Sequence, residues 1–129
     1  MNVRVVLTVL AVTAALTGCA TAPIMNVNDA AVVNAGGKTL SSEQVQGAIV
    51  RAGAALGWQM KVSGPNLLTG TLQLRTHTAV VDIPYTSSSY SIKYRSSVNL
   101  NESAGSIHKN YNGWIQNLTK GINLQLAAI

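Results

Sequence analysis

His108 and Tyr111 stand three apart within residues 107–115 (IHKNYNGWI), the densest mixture of polar and aromatic side chains in this 129-residue chain. A histidine can trade protons near neutral pH. Aromatic faces can stack on a sugar or another planar ligand. Tyr90, Tyr94, His108 and Tyr111 are therefore the candidate ligand-binding set. Each also has a plainer reading. A general base needs a nucleophile or an orienting partner, and none stands beside His108. It lies one residue off the apolar stripe through Ile107 and Tyr111, where a boundary histidine bonds to backbone. Tyr85, Tyr90, Tyr94, Tyr111, Trp58 and Trp114 all fall on predicted apolar faces, so core packing is their simpler role. His77 falls in a predicted hairpin turn and is expected in solvent.

Other chemistries fail on spacing. Two His and four acidic residues show no ligand spacing such as H-x3-H, and one Cys cannot form C-x2-C, so no metal site is expected. No serine sits in a G-x-S-x-G setting. Gly36-Gly37-Lys38-Thr39 echoes a phosphate-binding loop, but Val32 stands where its first glycine belongs. No cofactor and no catalytic constellation are expected, so the chain reads as non-enzymatic.

A few elements must position these residues. Ser41 and Gln44 have capping-box spacing, with Leu40 placed to staple onto Val45 and Glu43 in the first turn. Val45, Ala48, Ile49, Ala52 and Leu56 follow at helical spacing, and Gly57 ends the helix. Gly47 and Gly53 weaken it, which suggests close packing on a neighbour. From Trp58 the apolar period becomes two. Trp58, Met60 and Val62 form one strand; Leu68, Gly70, Leu72 and Leu74 a second; Ala79, Val81, Ile83 and Tyr85 a third; Tyr90, Ile92 and Tyr94 a fourth. Their short connections make them antiparallel. Residues 99–105 read as a loop, and Ser106 as the cap of a second helix striped by Ile107, Tyr111, Trp114, Ile115, Leu118 and Ile122. The predicted fold class is α+β: helix, four-stranded antiparallel meander, helix, with both helices on one sheet face. The other face carries Gln59, Lys61, Gln73, Arg75, Asp82, Lys93 and Arg95 and should be wet.

Nine cations oppose four anions, a net charge of +5. The cations are scattered, which suits acidic envelope surfaces weakly and is no nucleic-acid footprint. A single Cys permits no intramolecular disulfide, and there is no Phe for the core.

Near the N-terminus, Arg4 precedes an uncharged apolar run, residues 5–16 (VVLTVLAVTAAL). As a helix it would span about 18 Å, short of the roughly 30 Å hydrocarbon core. That length suits a signal peptide. Leu16-Thr17-Gly18-Cys19 closes it and resembles the lipobox of bacterial lipoprotein precursors. The resemblance implies lipidation of Cys19, with residues 1–18 as signal peptide. By the same resemblance, Ala20 rather than Asp after the Cys implies the outer membrane, lipid-anchored and facing the periplasm. Several acyl chains on one Cys would hold firmly. Residues 19–37 then read as the lipidated Cys and, in the main, a tether, with Ile24-Met25 and residues 30–33 apolar enough to dock on the domain and order part of it. As a flexible coil it would span about 24 Å. Residues 38–129 form the single small domain.

Further resemblance lies in Tyr90-Ser91-Ile92-Lys93-Tyr94, in residues 97–100 (SVNL) and in Ile107-His108 with Tyr111-Asn112, Trp114 and Ile115. Together they resemble a family of small bacterial outer-membrane lipoproteins, mainly over residues 40–122. No activity is assigned to that family, so the resemblance implies class and fold and no mechanism. The expected function is a non-enzymatic envelope module meeting the membrane through Cys19 and an envelope protein or peptidoglycan through its domain. An aromatic cleft for a small ligand or glycan is the alternative.

Overall fold

The structure, a computed structural model, describes residues 20–129. The expected signal peptide, residues 1–18, and Cys19 lie outside the described residues. Seven strands and two helices follow in the order β1 (Thr21–Pro23), β2 (Val27–Ala31), α1 (Ser42–Ala55), β3 (Trp58–Gly64), β4 (Leu67–Leu74), β5 (His77–Pro84), β6 (Ser89–Val98), β7 (Ser106–His108) and α2 (Lys109–Ala127).

The predicted helix, four-stranded meander and helix must be corrected. The main sheet has five antiparallel strands in the order β2-β6-β5-β4-β3, and β1 pairs with β7 in a separate two-stranded sheet. Strands β3 to β6 are the meander read from sequence. The added strands come from residues 20–37, expected mainly as a tether. β2 adds to the outer edge of β6 through Val27↔Ile92 and Ala30↔Tyr90, with a bulge between those pairs where Asp29 takes a φ of 49°. A bulge breaks the alternation of side chains, which is why the strand does not announce itself by period.

α1 forms as its sequence dictates. Ser41 Oγ accepts from Gln44 N at 3.1 Å, and Gln44 Oε1 accepts from Ser41 N at 2.9 Å, closing the capping box. Gly57, at φ 87°, follows the helix in a conformation that L side chains avoid. Gly53 lets the helix lie on the sheet: a Cβ there would come within 3 Å of the Met60 side chain. A Cβ at Gly121 of α2 would meet Ala52 and Leu56 of α1 at 3.5 Å, an ordinary contact. Both helices cover one sheet face. Met60 aligns with Gly70, Val81 and Tyr94 across four strands, and Tyr94 meets Tyr111 of α2 edge-to-face at 5.6 Å. The core between the layers holds Val45, Ile49, Leu68, Val81, Ile83, Ile92, Ile115, Leu118 and Ile122, all fully buried.

The second helix starts later than the sequence suggests. Ser106 exchanges backbone hydrogen bonds with Ser103 across the turn at Ala104 and Gly105, so it is extended. His108 is the N-cap of α2 instead.

Candidate functional site

His108 is placed by β7 and spent on structure. Its backbone N donates to Leu100 O at 2.7 Å, and its Nδ1 accepts from Asn110 N at 3.1 Å. That is the work of an N-cap side chain, satisfying one of the orphan N–H groups of a helix start. His77, expected in solvent, is half-buried at the start of β5, where its Nδ1 donates to Asn99 O at 2.8 Å. The turn beside it is clipped again by Asn99 Nδ2, which donates to Thr76 O.

Tyr90, Tyr94, His108 and Tyr111 do not frame a cleft. Tyr90 and Tyr111 are 1% and 0% exposed and belong to the core. Tyr90 Oη donates to Asn123 Oδ1 of α2 at 2.7 Å, and burial pushes its pKa up to about 12. Tyr111 Oη is buried without a hydrogen-bond partner among the described residues. Burial, and secondarily the adjacent Tyr94 hydroxyl, push its pKa up as well. Tyr94 is half-buried and its hydroxyl pairs with Ser97 Oγ at 2.8 Å. Trp58 and Tyr85 are buried too, leaving Trp114 half-buried on α2. Depressions on the described surface lie elsewhere. One of about 410 Å³ runs along the first turns of α2 past Lys109, Asn110, Gly113 and Trp114. Another, about 360 Å³ and more apolar, lies between α1 and α2 at Ala55, Leu56, Gly121 and Leu124.

The helix-free sheet face has its own order. Lys61, Thr69, Asp82 and Lys93 form one row across β3, β4, β5 and β6. Thr69 Oγ1 donates to Asp82 Oδ1 at 3.4 Å, and Arg95 Nη1 bonds the same oxygen at 3.4 Å from the bulged segment of β6. Arg95 thus pairs with Asp82 on a solvent-facing surface, while Lys61 and Lys93 stand in the same row without an ion-pair partner among the described residues. Lys61, Lys93 and Arg95 are all exposed. No group of three or more His, Cys, Asp or Glu able to hold a metal occurs among the described residues. No helix among them is long and apolar enough to cross a membrane.

Sequence reasoning missed one set of residues altogether: asparagines that fasten residues 20–37 to the domain. Asn112 of α2 accepts from Met25 N and donates to Pro23 O, each at 2.9 Å. Its side-chain amide thereby stands in for a neighbouring strand's peptide. Asn26 Oδ1 accepts from Tyr94 N at 2.8 Å. Asn34 Nδ2 donates to Leu126 O and Ile129 O at 3.0 and 3.1 Å, capping the end of α2, while its Oδ1 accepts from Gly36 N and Lys38 N. Ser91 Oγ accepts from Asp29 N at 2.9 Å. Asparagines spread along the chain carry no signal that names partners some ninety residues away.

No family model matches this chain, and neither a curated protein nor a solved structure matches it.

Proposed function

We propose that this chain is a lipid-anchored envelope lipoprotein whose domain is a non-enzymatic interaction module. Cys19 carries the acyl chains, and the membrane holding it is the outer membrane, on its periplasmic side. The observation that carries the anchor is Leu16-Thr17-Gly18-Cys19 closing an apolar run too short to span a bilayer. The observation that favours a binding module is the basic helix-free face, where exposed Lys61, Lys93 and Arg95 stand near one carboxylate, Asp82, which pairs with Arg95 alone. A face of that sign attracts acidic surfaces such as peptidoglycan carboxylates or an acidic patch on an envelope protein. Meanwhile the ring of His108 and the hydroxyl of Tyr90 are engaged in holding the fold.

Two experiments test the two halves. In a Gram-negative host, metabolic labelling with palmitate should mark the chain, and Cys19→Ser should abolish the label and release the protein from the membrane fraction. A Cys19→Ser chain that stays membrane-bound contradicts the anchor. Purified protein should co-sediment with peptidoglycan sacculi or crosslink to an envelope protein through a photoreactive group at Thr71, on the same face. Both contacts should weaken in Lys61→Glu/Lys93→Glu and with rising salt. Binding insensitive to both changes contradicts an electrostatic sheet-face interface.

A further inference from the structure

We infer that the domain lies directly on the lipid headgroups, with the N-terminal end of α2 as its membrane-contacting surface. The inference rests on the reading of Cys19 as the lipidated residue. What it adds is the geometry between the lipid and the fold.

A tether would have lifted the domain by about 24 Å. The structure leaves no such length. Ala20 O accepts from Lys109 N at 2.9 Å, and Thr21 is in register with His108. The residue next to Cys19 is therefore bonded to the first residue of α2. One peptide link separates the two Cα atoms by about 3.8 Å. A headgroup layer is only about 5–8 Å deep per leaflet. Acyl chains on Cys19 enter the bilayer at the base of that layer, so the first turn of α2, about 5.4 Å tall, is drawn into or onto it.

The attachment is stiff as well as short. Beyond Thr21 the chain is held by Asn112 at Pro23 and Met25, by Gly105 O at Ile24 N, and by Asn26 at Tyr94 N. The surface brought to the bilayer suits it. Lys109 and Asn110 are exposed, and Lys109 has no ion-pair partner among the described residues. Half-buried Trp114 borders the same depression. A cation and a tryptophan at headgroup level are the usual residues of a membrane interface. The far end of α2, at Ala128, stands about 28 Å away along a helix of 19 residues.

The test uses the full chain, lipidated in a Gram-negative host, purified and placed in vesicles of phosphatidylethanolamine and phosphatidylglycerol. Asn110→Cys and Ala128→Cys variants carry a thiol-reactive fluorophore; a Cys19 thioether does not react, and mass spectrometry of each sample reads lipidation directly. A nitroxide on the lipid headgroup should quench the probe at 110 several-fold more than the probe at 128. A Gly/Ser segment inserted between Ala20 and Thr21 should remove that difference while lipidation persists. Equal quenching at both sites in a chain shown to be lipidated overturns the membrane-contacting surface and leaves the anchor intact. A mass spectrum without acyl chains on Cys19 overturns both.

Discussion

Residues 20–37 and residues 40–98 are held to the same molecule by different physics. In the body, α1 and the meander bury Val45, Ala48, Ile49, Leu68, Val81, Ile83 and Ile92 completely, and apolar burial supplies the adhesion. In residues 20–37 no side chain is fully buried. That segment is held by backbone pairing to β6 and β7, by Asn26, Asn34, Ser91 and Asn112, and by the partial burial of Ile24, Met25, Val27, Ala30 and Val32 against the core. A net hydrogen bond contributes only about 0.5–1.5 kcal/mol, while a fully buried Leu or Ile contributes about 1.5–3. The body should therefore unfold as one unit, and the N-terminal segment should open first and locally.

Substitutions can break that contrast, starting with the largest effect. Ile115→Ala removes a fully buried side chain where α2 meets the sheet. It should cost about 2–5 kcal/mol of global stability in urea unfolding. A cost below about 1 kcal/mol would mean that the core is not packed as described. Asn34→Ala deprives the end of α2 of its cap and the following turn of its acceptor. A loss of about 1–3 kcal/mol is expected, with faster amide exchange confined to residues 34–38 and the last turn of α2. Asn112→Ala should cost about 1 kcal/mol. It should expose Met25 N to exchange while leaving the amides of β4 and β5 protected. If either asparagine variant loosens the whole sheet, the two regions are one cooperative unit and the contrast fails.

Two buried tyrosines, one on β6 and one on α2, sharpen the comparison. Tyr90→Phe loses the bond to Asn123 and should cost about 1 kcal/mol. Tyr111→Phe removes a hydroxyl with no partner among the described residues, so stability should be unchanged or higher. The pH dependence follows from the same burial. The Tyr90 pKa rises on folding from 10.0 to about 12, so the unfolded chain ionises first. Its neutral form is favoured below pH 10, and stability falls as pH climbs toward about 12. Buried Tyr111 and Tyr85 are shifted the same way, so Tyr90→Phe should make that alkaline limb shallower without removing it; an unchanged limb would mean Tyr90 is not buried as described.

The body was legible in the sequence because its forces are periodic. The capping box at Ser41 and Gln44 and the alternation through Leu68, Leu72, Val81, Ile83 and Ile92 each leave a local signature. β2 left none, because its bulge at Asp29 exposes two residues in succession. β1 and β7 are three residues each, too short to show a period. The start of α2 was misplaced because Ser106 is the better cap by residue type. Its pairing with Ser103 and Pro23 keeps it extended, and His108 takes the role. The tyrosine set was legible as core and not as a cleft, since every member lies on an apolar stripe. The asparagine fastenings join residues dozens of positions apart through single side chains, and such pairs carry no pattern along the chain.

The claim on which the anchor geometry depends is that residues 20–37 are part of the fold. Native-state amide hydrogen exchange reads it residue by residue. The amides of Ile24, Met25, Asp29, Val32 and Ala35 each have an acceptor in the domain, at Gly105 O, Asn112 Oδ1, Ser91 Oγ, Ser88 O and Ala127 O respectively. All five should exchange far more slowly than an unstructured peptide of the same sequence, though faster than the amides of β4 and β5. Exchange of all five at the unstructured rate, with β4 and β5 still protected, would show a free tether and contradict the docked segment.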